Sequence, residues 1–236
     1  MTLESYDELL DRYASRFRVI VFELPAMGFS APDSHFRFGW TETNDCVAEL
    51  LRSVIQRPAI LAFSCAAGLA ATDIAVRYPD LVDKLVLIQT GTVQTFAEWK
   101  ARRDPKRILA KPFIGQWAMK LMGRRRLNDW FSLVVSDPDT GARFSETSMT
   151  AMNNGALWSL SSAYQRYLIP TVPLGVAKQP AIGIWGREDR SHATESWRSA
   201  RGLAESVNIV TLDNVGHFPE LEATDYVADL ITEFVT

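Results

Sequence analysis

Short apolar runs alternate with longer amphipathic segments along most of the chain. The runs are rich in Val, Ile, Leu and Ala, and they cover residues 18–24, 58–63, 83–90, 181–186 and 207–213. Runs of this kind predict buried strands. The intervening segments carry apolar residues at helical spacing, which predicts helices over 5–17, 41–55, 66–78, 194–205 and 221–234. Strands that alternate with helices indicate a mostly parallel sheet flanked by helices, an α/β fold.

The region from 91 to 179 has a different pattern. It is helical, basic and rich in Trp, Met and Arg, and its one ambiguous strand candidate is the run at 131–135. We therefore predict a core made of 1–90 and 180–236, with a helical cap insertion over 91–179. Ligands of open parallel sheets bind outside the carboxyl ends of the strands. An insertion that leaves from that end would cover the site.

Positive charge is concentrated in this predicted insertion. Ten basic residues and one acid, Asp104, give the segment from Lys100 to Arg126 a charge of +9, which leaves −12 for the rest of a chain with a net charge of −3. Such a run usually forms a solvated helical face. The alternative is attraction of an anionic partner, such as a CoA-linked substrate or an acidic carrier protein. The negative net charge argues against nucleic-acid binding.

Composition sets the expected class and compartment. A length of 236 residues is ordinary for one α/β domain. The sequence has no run of about 18 apolar residues and no apolar segment typical of a secretory signal, so we expect neither a membrane span nor a membrane partner. Cys46 and Cys65 are too few for a disulfide scaffold. A reducing, cytoplasmic setting is therefore expected.

Residue types suited to catalysis follow three of the predicted strands. They are Ser64 and Cys65, then Glu188 and Asp189, and finally His217. A nucleophile, an acid and a histidine in this chain order are typical of one hydrolase triad. The chain has only three histidines, and the other two, His35 and His192, lack such a context. We interpret those two as surface or loop residues.

Four stretches together resemble the α/β-hydrolase superfamily, in the branch that carries a helical cap. They cover residues 18–32, 58–88, 181–189 and 214–222. The resemblance implies that Cys65 or Ser64 is the nucleophile, with Asp189 and His217 as its relay. It says much about the fold and little about the substrate.

The resemblance also bears on the choice between Ser64 and Cys65. Relatives of this branch usually have a Pro fourteen positions after the nucleophile, and Pro79 then points to Cys65. In that register Ala67 and Gly68 are the small residues that let the following helix pack closely. The position two before Cys65 is Phe63, where relatives usually have Gly. Ser64 therefore stays open as an alternative nucleophile.

A cysteine at this position suits acyl transfer. A thiolate beside an imidazolium attacks activated acyl groups, so we expect an ester, lactone or thioester as the small-molecule substrate. His217 would protonate the leaving group, Asp189 would orient it, and the backbone N–H of Ala66 would bind the oxyanion. The alternatives are an acyltransferase or cyclase with the same triad, and a catalytically inactive homologue that binds a ligand or partner. We expect no cofactor, and the acids and histidines lack the spacing of metal ligands.

The front of the chain departs from the resemblance. The family's first three strands and its His-Gly oxyanion loop should precede residue 18, but the sequence before it predicts one helix over 5–17, so we expect those strands and that loop to be missing. Residues 18–24 would then pair directly with 58–63, or something else would fill the gap, or the recorded chain begins too late, and we favour the last interpretation.

In the predicted cap, Trp and Met side chains could line an acyl pocket or pack the helices together: Trp99, Trp117, Trp130, Trp158, Met119, Met122, Met149 and Met152. The run from Gly123 to Arg126 could bind a phosphopantetheine or a carboxylate.

Overall fold

The fold was described from a computed structural model, which covers residues 2–25, 27–170, 172–193 and 195–236. Four strands form one parallel sheet whose spatial order is the chain order: β1 (Ala59–Ser64), β2 (Val82–Ile88), β3 (Ala181–Gly186) and β4 (Val207–Leu212). The predicted strands over 58–63, 83–90, 181–186 and 207–213 are confirmed, with small shifts at their ends. The predicted α/β class is confirmed with them.

Helices cover both faces of this sheet. One side holds α2 (Trp40–Leu50), which continues as a π-helical turn (Leu51–Ile55), and α3 (Ala67–Arg77). The other side holds α1 (Asp7–Tyr13), which follows a 3₁₀ turn (Leu3–Tyr6), and α9 (Thr224–Val235), which follows the short α8 (Pro219–Glu222). The segment predicted as a helix over 194–205 contains a 3₁₀ helix, Ser196–Gly202.

The two central strands are apolar on both faces because each face is covered. In β2, Leu85 and Leu87 pack into the cluster under α2 and α3, whereas Val86 and Ile88 pack into the cluster under α1 and α9. All six residues of β3 are buried. The continuous apolar runs in the sequence reflect this two-sided burial. The carboxyl ends of β2 and β3 therefore start from a rigid centre.

The strand predicted over 18–24 is wrong. Among the described residues β1 has a ladder with β2 alone, and residues 18–24 run beside the sheet as irregular, half-buried chain. Contact is made through side chains, with the ring of Phe22 edge-on to that of Phe63 at 5.8 Å. A strand exists only when its backbone groups pair with a neighbour. Direct pairing of 18–24 with 58–63 does not occur, and one edge of β1 stays open.

In the described part of the segment between β2 and β3, the chain forms four helices: α4 (Val93–Arg103), α5 (Ile114–Val134), α6 (Pro138–Asn153) and α7 (Ala156–Arg166). The ambiguous run at 131–135 is the end of α5 and not a strand. It packs in an aromatic cluster with Phe144 and Phe218, so the helical insertion rests on the loop after β4. The division into a core of 1–90 and 180–236 and a cap of 91–179 stays a prediction. Within the described ranges, no helix has the length and apolar character needed to cross a membrane.

Candidate active site

Cys65 occupies a strained turn at the carboxyl end of β1. Its φ is +57°, a left-handed value that a residue with a side chain seldom adopts, and its N–H donates to the carbonyl of Ile88 at 2.7 Å. Close packing beneath the turn depends on Gly68, where an added Cβ would lie 2.1 Å from Oγ1 of Thr90. Within the described part of the chain, the N–H of Ala66 has no hydrogen-bond acceptor. The turn therefore presents a thiol next to a free backbone donor at the edge of the sheet.

Asp189 lies in the loop after β3 and is buried, whereas its neighbour Glu188 is exposed. Its Oδ1 accepts the backbone N–H of Ser191 at 2.8 Å. Its Oδ2 accepts from Nδ1 of His217 at 2.6 Å and from Nε2 of Gln89 at 2.9 Å. Burial alone would raise the pKa of Asp189, but the two adjacent histidines hold it well below its usual range. Asp189 is thus an ionised acid at the base of the site.

His217 lies between the thiol and this acid. Burial lowers the pKa of His217, but the negative charges of Cys65 and Asp189 and the hydrogen bonds to them raise it well above its ordinary value. Its backbone N–H donates to the carbonyl of Val134 at 2.7 Å. The approach is close because the preceding residue is Gly216, where a Cβ would lie 2.2 Å from the same carbonyl oxygen. The end of α5 therefore fixes the loop that carries the histidine.

Ser64 is engaged elsewhere. Its hydroxyl donates to Oε1 of Glu220 at 2.7 Å, and Glu220 is 1% exposed. Burial raises the pKa of Glu220, while the hydrogen bond from Ser64 and the charge of His217 oppose that rise. The alternative nucleophile Ser64 thus faces a buried carboxyl group and not the imidazole.

His192 is not the surface residue that the sequence suggested. It does lie in a loop, but its ring is buried, and its Nδ1 lies 2.8 Å from Oδ2 of Asp189. It stacks on His217 with ring centroids 5.4 Å apart and planes 14° apart. The fold brings side-chain nitrogen and oxygen atoms of Asp189, His192 and His217 within 4.8 Å of one another. The spacing of these residues in the sequence gave no sign of such a cluster. Both rings direct Nδ1 at one carboxylate oxygen, which is the geometry of a hydrogen-bonded relay. His35 is exposed, as expected.

Two tryptophans of the helical insertion form a wall over the histidines. Trp99 stacks on His192 at 6.4 Å, Trp130 meets His217 edge-on at 5.7 Å, and the two indoles contact each other at 6.1 Å. The other pair predicted as pocket-lining, Trp117 and Trp158, contact each other on the outer surface. The sequence left both pocket lining and packing between helices open for these indoles, and the contact between Trp117 and Trp158 favours packing for that pair.

Three residues of the site were missed at the sequence level. Gln89 directly follows β2 and is fully buried, with its amide bound to both the Gly186 backbone and Asp189. A polar residue at the end of a buried strand was the available signal. For Glu220 and His192 the sequence held no comparable signal, because their burial depends on how loops pack.

The comparisons with known proteins concern the family and the fold. The sequence profile of the alpha/beta hydrolase family matches residues 2–230. A biotin biosynthesis bifunctional protein BioHC from Teredinibacter turnerae is 24% identical over 250 residues, covering 96% of this chain but 40% of that protein. The chain thus spans about two fifths of that relative's length.

Two solved structures illustrate the fold. MenH from S. aureus superposes with a TM-score of 0.78 at 13% identity, covering 99% of this chain and 89% of that one. A thermophilic esterase from Thermogutta terrifontis gives a TM-score of 0.74 at 19% identity, covering 100% of this chain and 85% of that one. At these identities the likeness shows the fold alone.

Proposed function

The chain belongs to the alpha/beta hydrolase family, and from that premise we propose that it is a cytoplasmic hydrolase that forms a covalent acyl-enzyme on Cys65. The observation that carries the proposal is the placement of Cys65 in a turn with φ +57°, beside an imidazole whose Nδ1 bonds to Asp189. Turns of this kind display nucleophiles at the carboxyl edge of α/β-hydrolase sheets. The free state of both cysteines agrees with a reducing compartment.

In the first half of the reaction, the Cys65 thiolate attacks the acyl carbon of an ester, lactone or thioester. A C–S bond forms, and the carbonyl electrons move onto oxygen, which accepts a hydrogen bond from the Ala66 N–H. When the intermediate collapses, the bond to the leaving oxygen or sulfur breaks. Protonated His217 gives its proton to that leaving group, and Asp189 keeps the imidazole oriented.

The second half regenerates the enzyme with water. Neutral His217 takes a proton from a water molecule as the oxygen bonds to the acyl carbon. Collapse breaks the C–S bond, the acid leaves, and Cys65 returns to a thiolate beside protonated His217. If another hydroxyl or amine replaced the water, the same steps would give acyl transfer or cyclisation.

The helical insertion suggests the substrate class. The indoles of Trp99 and Trp130 form an apolar wall over His217, which suits a small or medium acyl group. The outer surface of the same insertion is strongly basic, with exposed cations that make no ion pair within the described residues: Lys106, Arg107, Lys111, Lys120, Arg124 and Arg126. We propose that they attract an acyl group carried on CoA or on an acidic protein.

A catalytically inactive, ligand-binding homologue remains the second candidate. The observation that favours it is that, within the described residues, Ala66 is the one backbone donor assigned to the oxyanion, since a missing second donor costs about 2.7–4 kcal/mol of transition-state stabilisation.

Intact-mass spectrometry after incubation with an activated acyl ester or an acyl thioester tests the proposal. We expect one acyl adduct that is lost in Cys65→Ala, retained in Ser64→Ala and formed about a hundredfold or more slowly in His217→Ala. Cys46→Ala is the matched control, because Cys46 is an exposed cysteine away from the site. An adduct that disappears with Cys46, or no adduct at all, would support the inactive homologue.

A further inference from the structure

We infer that His192 is a positioning residue, which shares the Asp189 carboxylate with His217 and thereby weakens the hold of that carboxylate on the His217 proton. The inference rests on the proposed function, because it assigns His192 a part in the water step of that reaction. It goes beyond the triad, in which a single histidine engages the acid.

The hydrogen bonds around Asp189 fix the state of His192. Oδ2 receives three donors, from His217, His192 and Gln89, at 2.6, 2.8 and 2.9 Å. An ionised carboxylate only accepts, so Nδ1 of His192 carries a hydrogen. Its Nε2 is buried and has no partner within the described residues. His192 is therefore held as the Nδ1–H tautomer, with its other nitrogen enclosed by aromatic rings.

The surrounding charges keep His192 neutral while His217 is protonated. Burial lowers the pKa of His192, and the positive charges of His217 and Arg102 lower it further, against the opposing effect of Asp189. Arg103, also on α4, faces Asp189 as well. Besides His192, the charged and titratable groups among the described residues that face His217 are Cys65, Asp189 and Glu220. A neutral donor and a cationic donor thus compete for one oxygen.

This competition matters most after the enzyme is acylated. Acylation converts the Cys65 thiolate into a neutral thioester, so Asp189 becomes the main group that favours protonated His217. His217 must then be neutral to take a proton from water. An Oδ2 that already accepts from His192 holds that proton less tightly, because each donor draws charge from the oxygen. His192 would thus speed hydrolysis of the acyl-enzyme more than its formation.

Two substitutions separate the hydrogen bond from the stacking. His192→Phe keeps an aromatic ring against His217 but removes the donor, whereas His192→Asn keeps a donor close to the position of Nδ1 and removes the ring. We expect His192→Phe to shift the rising limb of the kcat profile to higher pH, to lower kcat near neutral pH about tenfold, and to let acyl-enzyme accumulate. His192→Asn should restore most of the profile.

A measurement without turnover keeps the inference separate from the proposed function. Nitrogen-15 NMR of the imidazoles follows the His217 titration in the resting protein, with His35→Gln used to assign the remaining signals. His217 should stay protonated to higher pH in His192→Phe than in the parent or in His192→Asn. An unchanged His217 titration in His192→Phe, or equal shifts in both variants, would overturn the inference even if Cys65 is acylated. If the His217 titration shifts in His192→Phe but no acyl adduct forms on Cys65, the proposed function is contradicted, whereas the sharing of the Asp189 carboxylate is supported.

Discussion

Residues 18–24 and strand β3 look alike in the sequence and differ in the fold. Both are short runs that contain Ile and one aromatic residue, and both patterns predict a strand. Strand β3 pairs with β2 on one side and β4 on the other, and every residue in it is buried. Residues 18–24 form no ladder, and only Leu24 is buried. The difference shows that β-propensity becomes a strand only where a neighbour supplies the hydrogen bonds.

The residues of the candidate site differ in the same way, because some extend from a strand paired on both sides and others from an edge strand. Asp189 extends from the doubly paired β3, and the His217 loop docks on the end of that strand through Gly186. Cys65 stands at the end of β1, which pairs on one side only within the described ranges and whose Ile60 side chain is 37% exposed. The acid thus extends from an interior strand, and the histidine loop that follows the edge strand β4 docks on the end of that interior strand, whereas the nucleophile extends from the other edge strand, β1.

The largest expected effect comes from truncating equivalent apolar side chains in the two runs. Ile184 in β3 is completely buried, so Ile184→Ala should lower the free energy of unfolding by about 4 kcal/mol. Ile20 is half-buried on irregular chain, and Ile20→Ala should cost about 1 kcal/mol. Urea unfolding followed by circular dichroism measures both. Equal losses would mean that residues 18–24 carry as much of the core as β3 does.

A smaller effect tests how tightly the histidine loop sits on β3. At Gly186 an added Cβ would lie 1.9 Å from the carbonyl oxygen of Gly216, so Gly186→Ala should destabilise the fold by about 3 kcal/mol and displace His217. The matched control is Gly183→Ala in the same strand, where the nearest atom would lie at an ordinary 3.6 Å. Gly183→Ala should change stability by about 1 kcal/mol or less and preserve acylation of Cys65. A harmless Gly186→Ala would show that the loop can move away without loss.

These contrasts explain what the sequence could predict. The apolar periods predicted four of five strands and most helices, because those elements are specified by local pattern and buried on the sides that the pattern indicates. The run at 18–24 failed because pairing is not a local property. The position of the nucleophile turn at Cys65 could be predicted from its spacing to Pro79. His192, Gln89 and Glu220 were not identified, since their roles arise from loops and strand ends that meet only in three dimensions.

The smallest expected effect concerns the hydrogen bond between Ser64, at the end of β1, and Glu220, which follows His217 in the chain. Ser64 donates to the buried Glu220, whose pKa burial raises above its ordinary 4.5. A raised pKa means that the unfolded chain releases this proton at lower pH than the folded chain does. Stability due to this group therefore falls as pH rises from about 4.5 through the folded pKa, and it stays lower above that window.

Two variants isolate this contribution. Glu220→Gln removes the titrating carboxyl group. The difference between the unfolding free energy of this variant and that of the parent should therefore grow with pH across that window and then level off. Ser64→Ala takes a donor from the ionised form, which raises the pKa of Glu220 further and lowers stability at neutral pH by about 1–2 kcal/mol. Unfolding curves from pH 4 to 8 measure both differences. A parent-like Ser64→Ala would mean that Cys65 stays in place without this link, held by its N–H bond to Ile88 and by the Thr90 hydroxyl that donates to its carbonyl at 3.0 Å.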